Sequence, residues 1–179
     1  MIDEFLPHFD CRAAYGIRID APVSVVYHSL LVSDFNRAWL VRVLMTLRSG
    51  KRTSRNRVAS DLHQRLQRSG FVLLAEVPNE EIVIGVIGKF WRLDGGRRLD
   101  LTPDGFAPFS STGYAKAAWN FRLQADSPAS TLLSTETRIQ CLGRAARWKF
   151  RLYWGLIGPF SGLIRKAILK QVKMESLIV

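Results

Sequence analysis

The stretch RAARWKFRLYWGLIGPFSGLIRKAILKQ, residues 144–171, constrains the fold more than any other part of this chain. Its centre, Tyr153 to Ile164, carries no charge, and both flanks are crowded with Arg and Lys. An uncharged run of about 12 residues falls short of the ~20 that a bilayer-spanning helix needs. On a helical wheel of period 3.6, Phe150, Trp154, Ile157, Ser161, Ile164, Ile168 and Val172 form one stripe. Arg144, Arg147, Arg151, Arg165, Lys166, Lys170 and Lys173 gather on the other sides. The stripe stays in phase across Gly158-Pro159, which predicts one helix kinked at Pro159, where a backbone bond is lost. Each large side chain fully buried contributes about 1.5–3 kcal/mol, more than a surface charge contact, so the stripe should face a sheet or groove. A helix lying on a membrane by its apolar face is the alternative.

Charge is the second constraint. Residues 37–68 carry nine Arg or Lys against Asp61, a net +8, and residues 143–179 carry eight against Glu175, a net +7. The whole chain is +11, so the remainder is −4. Two basic segments on a mildly acidic body fit an anionic partner, either a phospholipid surface or nucleic acid. Solvated helix faces fit the same pattern. Arg144, Arg147, Lys149 and Arg151 are the candidate anionic-surface contacts; interleaved with Trp148 and Phe150, they could neutralise phosphates and stack bases.

At 179 residues with 47% apolar content, the chain fits one domain, 1–179, with a core of its own. The acidic MIDEFLPHFD lacks the basic-then-apolar order of a signal peptide, so no targeting segment is expected. Cys11 and Cys141 are too few for a disulfide framework, and a cytoplasmic setting follows by default.

Along the chain, CRAAYGIRID (11–20) alternates as a half-buried strand. DAPVSVVYHSLL then reads as a helix, with Asp20 as cap and Pro22 in the first turn. AWLVRVLMTLRS and VASDLHQRLQRSG are further helical candidates. From Phe71 the β-branched runs FVLLAEVP and EEIVIGVIGKFWR flank the turn PNEE. YAKAAWNFRLQ and TLLSTETRIQCL alternate as two strands joined by DSPAS. Ala115, Ala117, Trp119, Phe121 and Leu123 share one face; Lys116, Asn120 and Arg122 share the other. Strand, helices, antiparallel strands and a long terminal helix make an α+β fold, with helices on one face of an antiparallel sheet.

Two segments carry a family likeness: IDAPVSVVYHSLLVSDFNRAW after the first strand, and AKAAWNFRLQ…TLLSTETRIQCL running into the terminal helix. In these the chain resembles the SRPBCC superfamily, the START-like or helix-grip fold, and most resembles its uncharacterised members of polyketide-cyclase- or lipid-transport-like type, without a match to a specific enzyme. The likeness spans nearly the whole chain through architecture and texture, not through catalytic residues. It implies a curved antiparallel sheet wrapped around the long C-terminal helix, short helices between the first two strands, and an apolar cavity for a lipid or other hydrophobic small molecule. It also implies that the first and last strands pair, bringing Cys11 and Cys141 near each other as free thiols. The lining residues would be Trp91, Trp119 and Phe121 from strands, Trp154, Ile157 and Phe160 from the helix, and Leu40 and Leu44 from the early helices. Plain core packing explains each of these aromatics as well. Gly155, Gly158 and Gly162 would leave room beside the helix.

Nothing in the sequence nominates a general base. His8, His28 and His63 have no metal spacing, Glu80-Glu81 reads as a solvated turn, and no nucleophile elbow or phosphate loop is present. Glu136 and Arg138 share a polar strand face, as in outer-face ion pairs; a pair buried in the cavity is the alternative. The expectation is therefore hydrophobic-ligand binding without cofactor or metal, at most peripheral at the inner membrane surface. The alternatives are a cyclase/aromatase-like enzyme acting on a polyketide-type substrate, or a basic protein whose partner is a membrane surface or, less favoured given the resemblance, nucleic acid.

Overall fold

The structure is a computed structural model that describes residues 1–33, 71–92 and 101–178. In chain order the elements are α1 (Ile2–Phe5), β1 (Cys11–Ile19), α2 (Val23–Val32), β2 (Val72–Val77) and β3 (Glu81–Gly88). There follow α3 (Pro103–Phe106), β4 (Ala115–Ser127), β5 (Ser130–Cys141) and α4 (Arg144–Ser176). The strands form one antiparallel sheet in the order β1-β5-β4-β3-β2. First and last strands pair, with Cys11 opposite Ile139 and Ile19 opposite Thr131. With α4 laid over β1 and β5, this is the helix-grip arrangement of an α+β fold.

Alternation in the sequence decides the two faces of the sheet. The inner face presents Tyr15, Ile17, Ile19, Trp119, Phe121, Leu123 and Leu133 to α2 and α4. The outer face presents Val83, Ile87 and Ala118 to Ile2, Leu6 and Phe106 of the short N-terminal and α3 segments. β3 is buried along its whole length because it is central and covered on both sides, which is why its run is apolar rather than alternating. Gly85 lies under Phe106: a Cβ there would stand 2.8 Å from the Phe106 ring and from Leu74 Cδ1.

Several expectations need correction. Asp20 does not cap α2, whose N-cap is Pro22 with no side-chain bond. Glu81 is not a solvated turn residue: it opens β3, is buried, and accepts a 2.6 Å bond from Asn120 Nδ2. β3 ends at Gly88, so Trp91 sits in the following turn rather than on a strand. The two helical candidates after α2, with Leu40 and Leu44, lie outside the described residues, as does His63.

Glu136 and Arg138 lie on the outer face, beneath the N-terminal segment. Arg12 donates to Glu136 through Nε at 2.8 Å and Nη2 at 3.0 Å, and Arg138 Nε donates to it at 2.7 Å. Arg138 also reaches Asp3 at 2.7 Å and the Leu6 carbonyl at 3.2 Å, which fastens the N-terminal segment to the sheet. The hydrogen bonds from Arg12, and after them those from Arg138, hold the Glu136 carboxyl below the usual carboxylate range despite its burial. A carboxyl depressed in the fold stabilises it above the ordinary carboxylate pKa of about 4.3, and that contribution is lost as pH falls through the lower folded value. Glu136→Gln should therefore cost about 1–2 kcal/mol at neutral pH and progressively less in acid below pH ~4. Thermal melts of both proteins across pH check this; a gap independent of pH contradicts it.

Candidate functional site

The site is built where α4 crosses the inner face of the sheet. At its start, Ala146 and Phe150 are buried with Ala115, Ile139 and Cys141. Near its end, Ile168, Leu169 and Val172 are buried with Ile19, Val26, Leu30, Phe121 and Leu133. Between these anchors the sheet-facing side chains Trp154, Ile157 and Ile164 are only half-buried. The strand residues opposite, Ala13, Tyr15 and Ile17 on β1 and Ala117 and Trp119 on β4, are half-buried as well. Ile157 belongs to neither cluster among the described residues. The middle of α4 is thus a seam between two packed cores.

That seam holds polar groups. Thr135 and Thr137 point into it from β5, and the Trp119 indole N–H donates to Thr135 Oγ1. Arg165, placed with the outward charges by its chemistry, instead turns toward the sheet and is 7% exposed. Its Nε donates to Thr137 Oγ1 at 2.9 Å, and Nη1 donates to Ser161 Oγ at 2.6 Å and the Ser161 carbonyl at 3.0 Å. Burial pushes its pKa down from the ordinary guanidinium value, though a guanidinium stays charged in proteins. One sequence signal could have found it: Arg165 is four residues beyond Ser161, on the edge of the apolar stripe rather than opposite it.

The glycines of α4 do not share one role. A Cβ on Gly162 would stand 2.5 Å from Tyr15 Oη, so this glycine lets β1 and α4 approach closely. Gly155 faces open space, and Gly158 would meet the Trp154 indole. The helix itself runs unbroken through Pro159.

Of the proposed lining residues, Trp119, Trp154 and Ile157 flank the seam and Phe121 is buried in the far cluster. Phe160 requires correction: it lies on the outward side of α4 and is exposed. Trp91 packs with the near cluster and borders an open surface pocket of about 340 Å³ shared with Lys89, Arg92 and Lys149. Cys11 and Cys141 are free thiols; burial, with the Asp10 charge second, pushes Cys141 up to about 12. His8 and His28 are exposed, and no metal-binding group of His, Cys, Asp or Glu occurs among the described residues.

The outward face of α4 was not anticipated. Trp148, Leu152, Leu156, Phe160 and Leu163 recur there at steps of three and four, each between 43% and 71% exposed. Arg144, Lys149 and Arg151 are exposed around the start of this strip, and Lys166 and Lys170 after its end. Arg147 is tied to Asp10 at 2.7 Å. The first turn of α4 holds no acidic residue, so these cations face the positive end of the helix dipole. No described helix is long and apolar enough to cross a membrane.

No family model matches the chain, and no curated protein matches it. Among solved structures, a conserved protein from Geobacillus kaustophilus is 12% identical over 93% of this chain and 95% of that one, with a TM-score of 0.47. A hypothetical protein from Helicobacter pylori is 9% identical over 97% and 93%, at 0.44. An aromatase/cyclase from a Streptomyces species is 14% identical over 93% of each chain, at 0.34. At such scores the likeness carries no weight for function, and the fold assignment stands on the strand order and the placement of α4.

Proposed function

We propose that the protein is an SRPBCC-like binder of a hydrophobic small molecule or lipid, held between the sheet and the middle of α4. The observation that carries this reading is the seam: α4 buries sheet-facing side chains near both ends, while Trp154, Ile157 and Ile164 between them are only half-buried, as are Trp119 and Tyr15 opposite. Ligand sites are largely apolar with a few polar groups that fix orientation, and Trp154, Ile157 and Trp119 beside Thr135, Thr137 and Arg165 have that composition. Binding is preferred over a cyclase-type reaction because the seam presents hydroxyls and a guanidinium, without a nominated base among the described residues. Native mass spectrometry of the purified protein should show a bound apolar species, or a fluorescent lipid probe should bind it. Ile157→Trp, which fills the seam, should weaken probe binding by about tenfold or more at unchanged circular dichroism. A protein that carries no ligand and takes up no probe contradicts the reading.

A second reading rests on the outward face of α4, which we assign to an anionic membrane surface. Exposed apolar side chains in one row, with exposed Arg and Lys at both of its ends, match a helix lying in the headgroup region. Each basic residue near such a surface adds about 1 kcal/mol, and an anionic surface relieves the cations crowded at the helix start. Vesicles containing anionic phosphatidylglycerol should sediment the protein and neutral phosphatidylcholine vesicles should not. Leu156→Asp should weaken that binding about tenfold to a hundredfold, as expected from one buried leucine. Binding unaffected by Leu156→Asp contradicts the assignment, as does salt-sensitive binding to nucleic acid that anionic vesicles fail to displace.

A further inference from the structure

Arg165 brings into the seam a charge that no carboxylate among the described residues neutralises. A guanidinium offers five N–H donors and a full positive charge. Three of the donors are used, on Thr137 Oγ1, Ser161 Oγ and the Ser161 carbonyl, and all of these acceptors are neutral. Arg165 forms no ion pair with a carboxylate among the described residues; the Tyr15 phenol is the neighbouring group that favours its charge. Buried charges in proteins are paired as a rule, because an isolated one loses its hydration without recompense. The surroundings add to the imbalance: α4 has no acidic residue from Arg144 to Lys173, and Lys166 Nζ lies 5.5 Å over the ring of Tyr15.

The position is equally specific. Thr137, to which Arg165 donates, is paired in register with Ala13 on β1 and Trp119 on β4, both half-buried residues of the seam. Along the strands the charge therefore sits between the two apolar anchors; along α4 it lies about one turn before the far one, away from the basic surface at the start of the helix.

We infer that the ligand of the seam is an amphiphile with an anionic head group, a carboxylate, which pairs with the Arg165 guanidinium while its apolar part lies along Trp154, Ile157 and Trp119. This rests on the seam being a ligand site. The planar fork of Arg matches the two oxygens of a carboxylate, and such charge-assisted pairs are roughly twice as strong as neutral hydrogen bonds. Thr137 and Ser161 then hold the guanidinium in place rather than neutralise it.

The test compares a long-chain fatty acid with the alcohol of the same chain length, each displacing a fluorescent lipid probe from the full chain. The wild type should prefer the acid by about tenfold or more. Arg165→Met keeps the apolar volume and removes the charge; its affinity for the acid should fall by far more than its affinity for the alcohol, so that the preference for the acid is lost. Arg165→Lys keeps the charge without the fork and should retain part of the preference, which covers the case in which the Met variant fails to fold. Equal binding of acid and alcohol by the wild type overturns the inference and leaves the seam as a site for neutral ligands. A loss of both ligands in equal measure in a folded Arg165→Met variant also overturns it, marking Arg165 as a packing residue. If the wild type binds neither the probe nor any amphiphile, the ligand-site reading fails and the inference fails with it.

Discussion

The two-ended clamp on α4 is the interaction on which the rest of this structure depends. Ala146 and Phe150 fix the start of the helix against Ile139 and Cys141, and Ile168, Leu169 and Val172 fix its end against β1, β5 and α2. With about 1.5–3 kcal/mol for each large side chain, these anchors hold a helix whose middle is intrinsically weak. Glycines at 155, 158 and 162 cost roughly 1 kcal/mol each against alanine, and Pro159 removes a backbone bond within the same turns. A helix strong at its ends and weak between them can yield locally in its middle without unfolding. The half-buried seam is the structural consequence, and a ligand along it is the proposed functional one.

The outer face of the sheet is closed differently. There a short N-terminal segment and α3 supply apolar plugs, Ile2, Leu6 and Phe106, and a charged network supplies orientation. Arg138 joins strand to segment through Asp3 and the Leu6 carbonyl, and Glu136 draws Arg12 and Arg138 together. Lys116 shows the same economy on this face: its ammonium donates to the Ala107 carbonyl at 2.7 Å, and burial pushes its pKa down. Arg138 and Lys116 are buried but partnered, and Arg12 is exposed. Arg138 finds two carboxylates on this face, whereas Arg165 on the inner face has neutral acceptors and no carboxylate among the described residues.

Much of the fold was legible in the sequence because strand alternation and the helical stripe are local signals. β1, β4, β5, the hairpin turn and the apolar stripe of α4 all emerge from spacing. α1 and α3 do not, because four residues are too few to show a period. Glu81 and Arg165 were misplaced for a shared reason: a charged residue is assigned to solvent by its chemistry, while its burial depends on what packs above it. The exposed row from Trp148 to Leu163 was hidden by its neighbour, since two apolar faces on one helix read as a single stripe when only one is sought. Trp91 was drawn into a strand by the β-rich run before it, although pairing with β4 stops at Gly88.

α4 is held by buried side chains near both ends and is less tightly packed between them. Amide hydrogen exchange along the helix measures this directly, because protection follows local packing and hydrogen-bond stability. The account predicts slow exchange in peptides covering 144–151 and 165–174, and faster exchange between them around Gly155 to Gly162, slowing when a fatty acid is added. Uniform slow exchange from Ala146 to Val172, unchanged by the fatty acid, would contradict it.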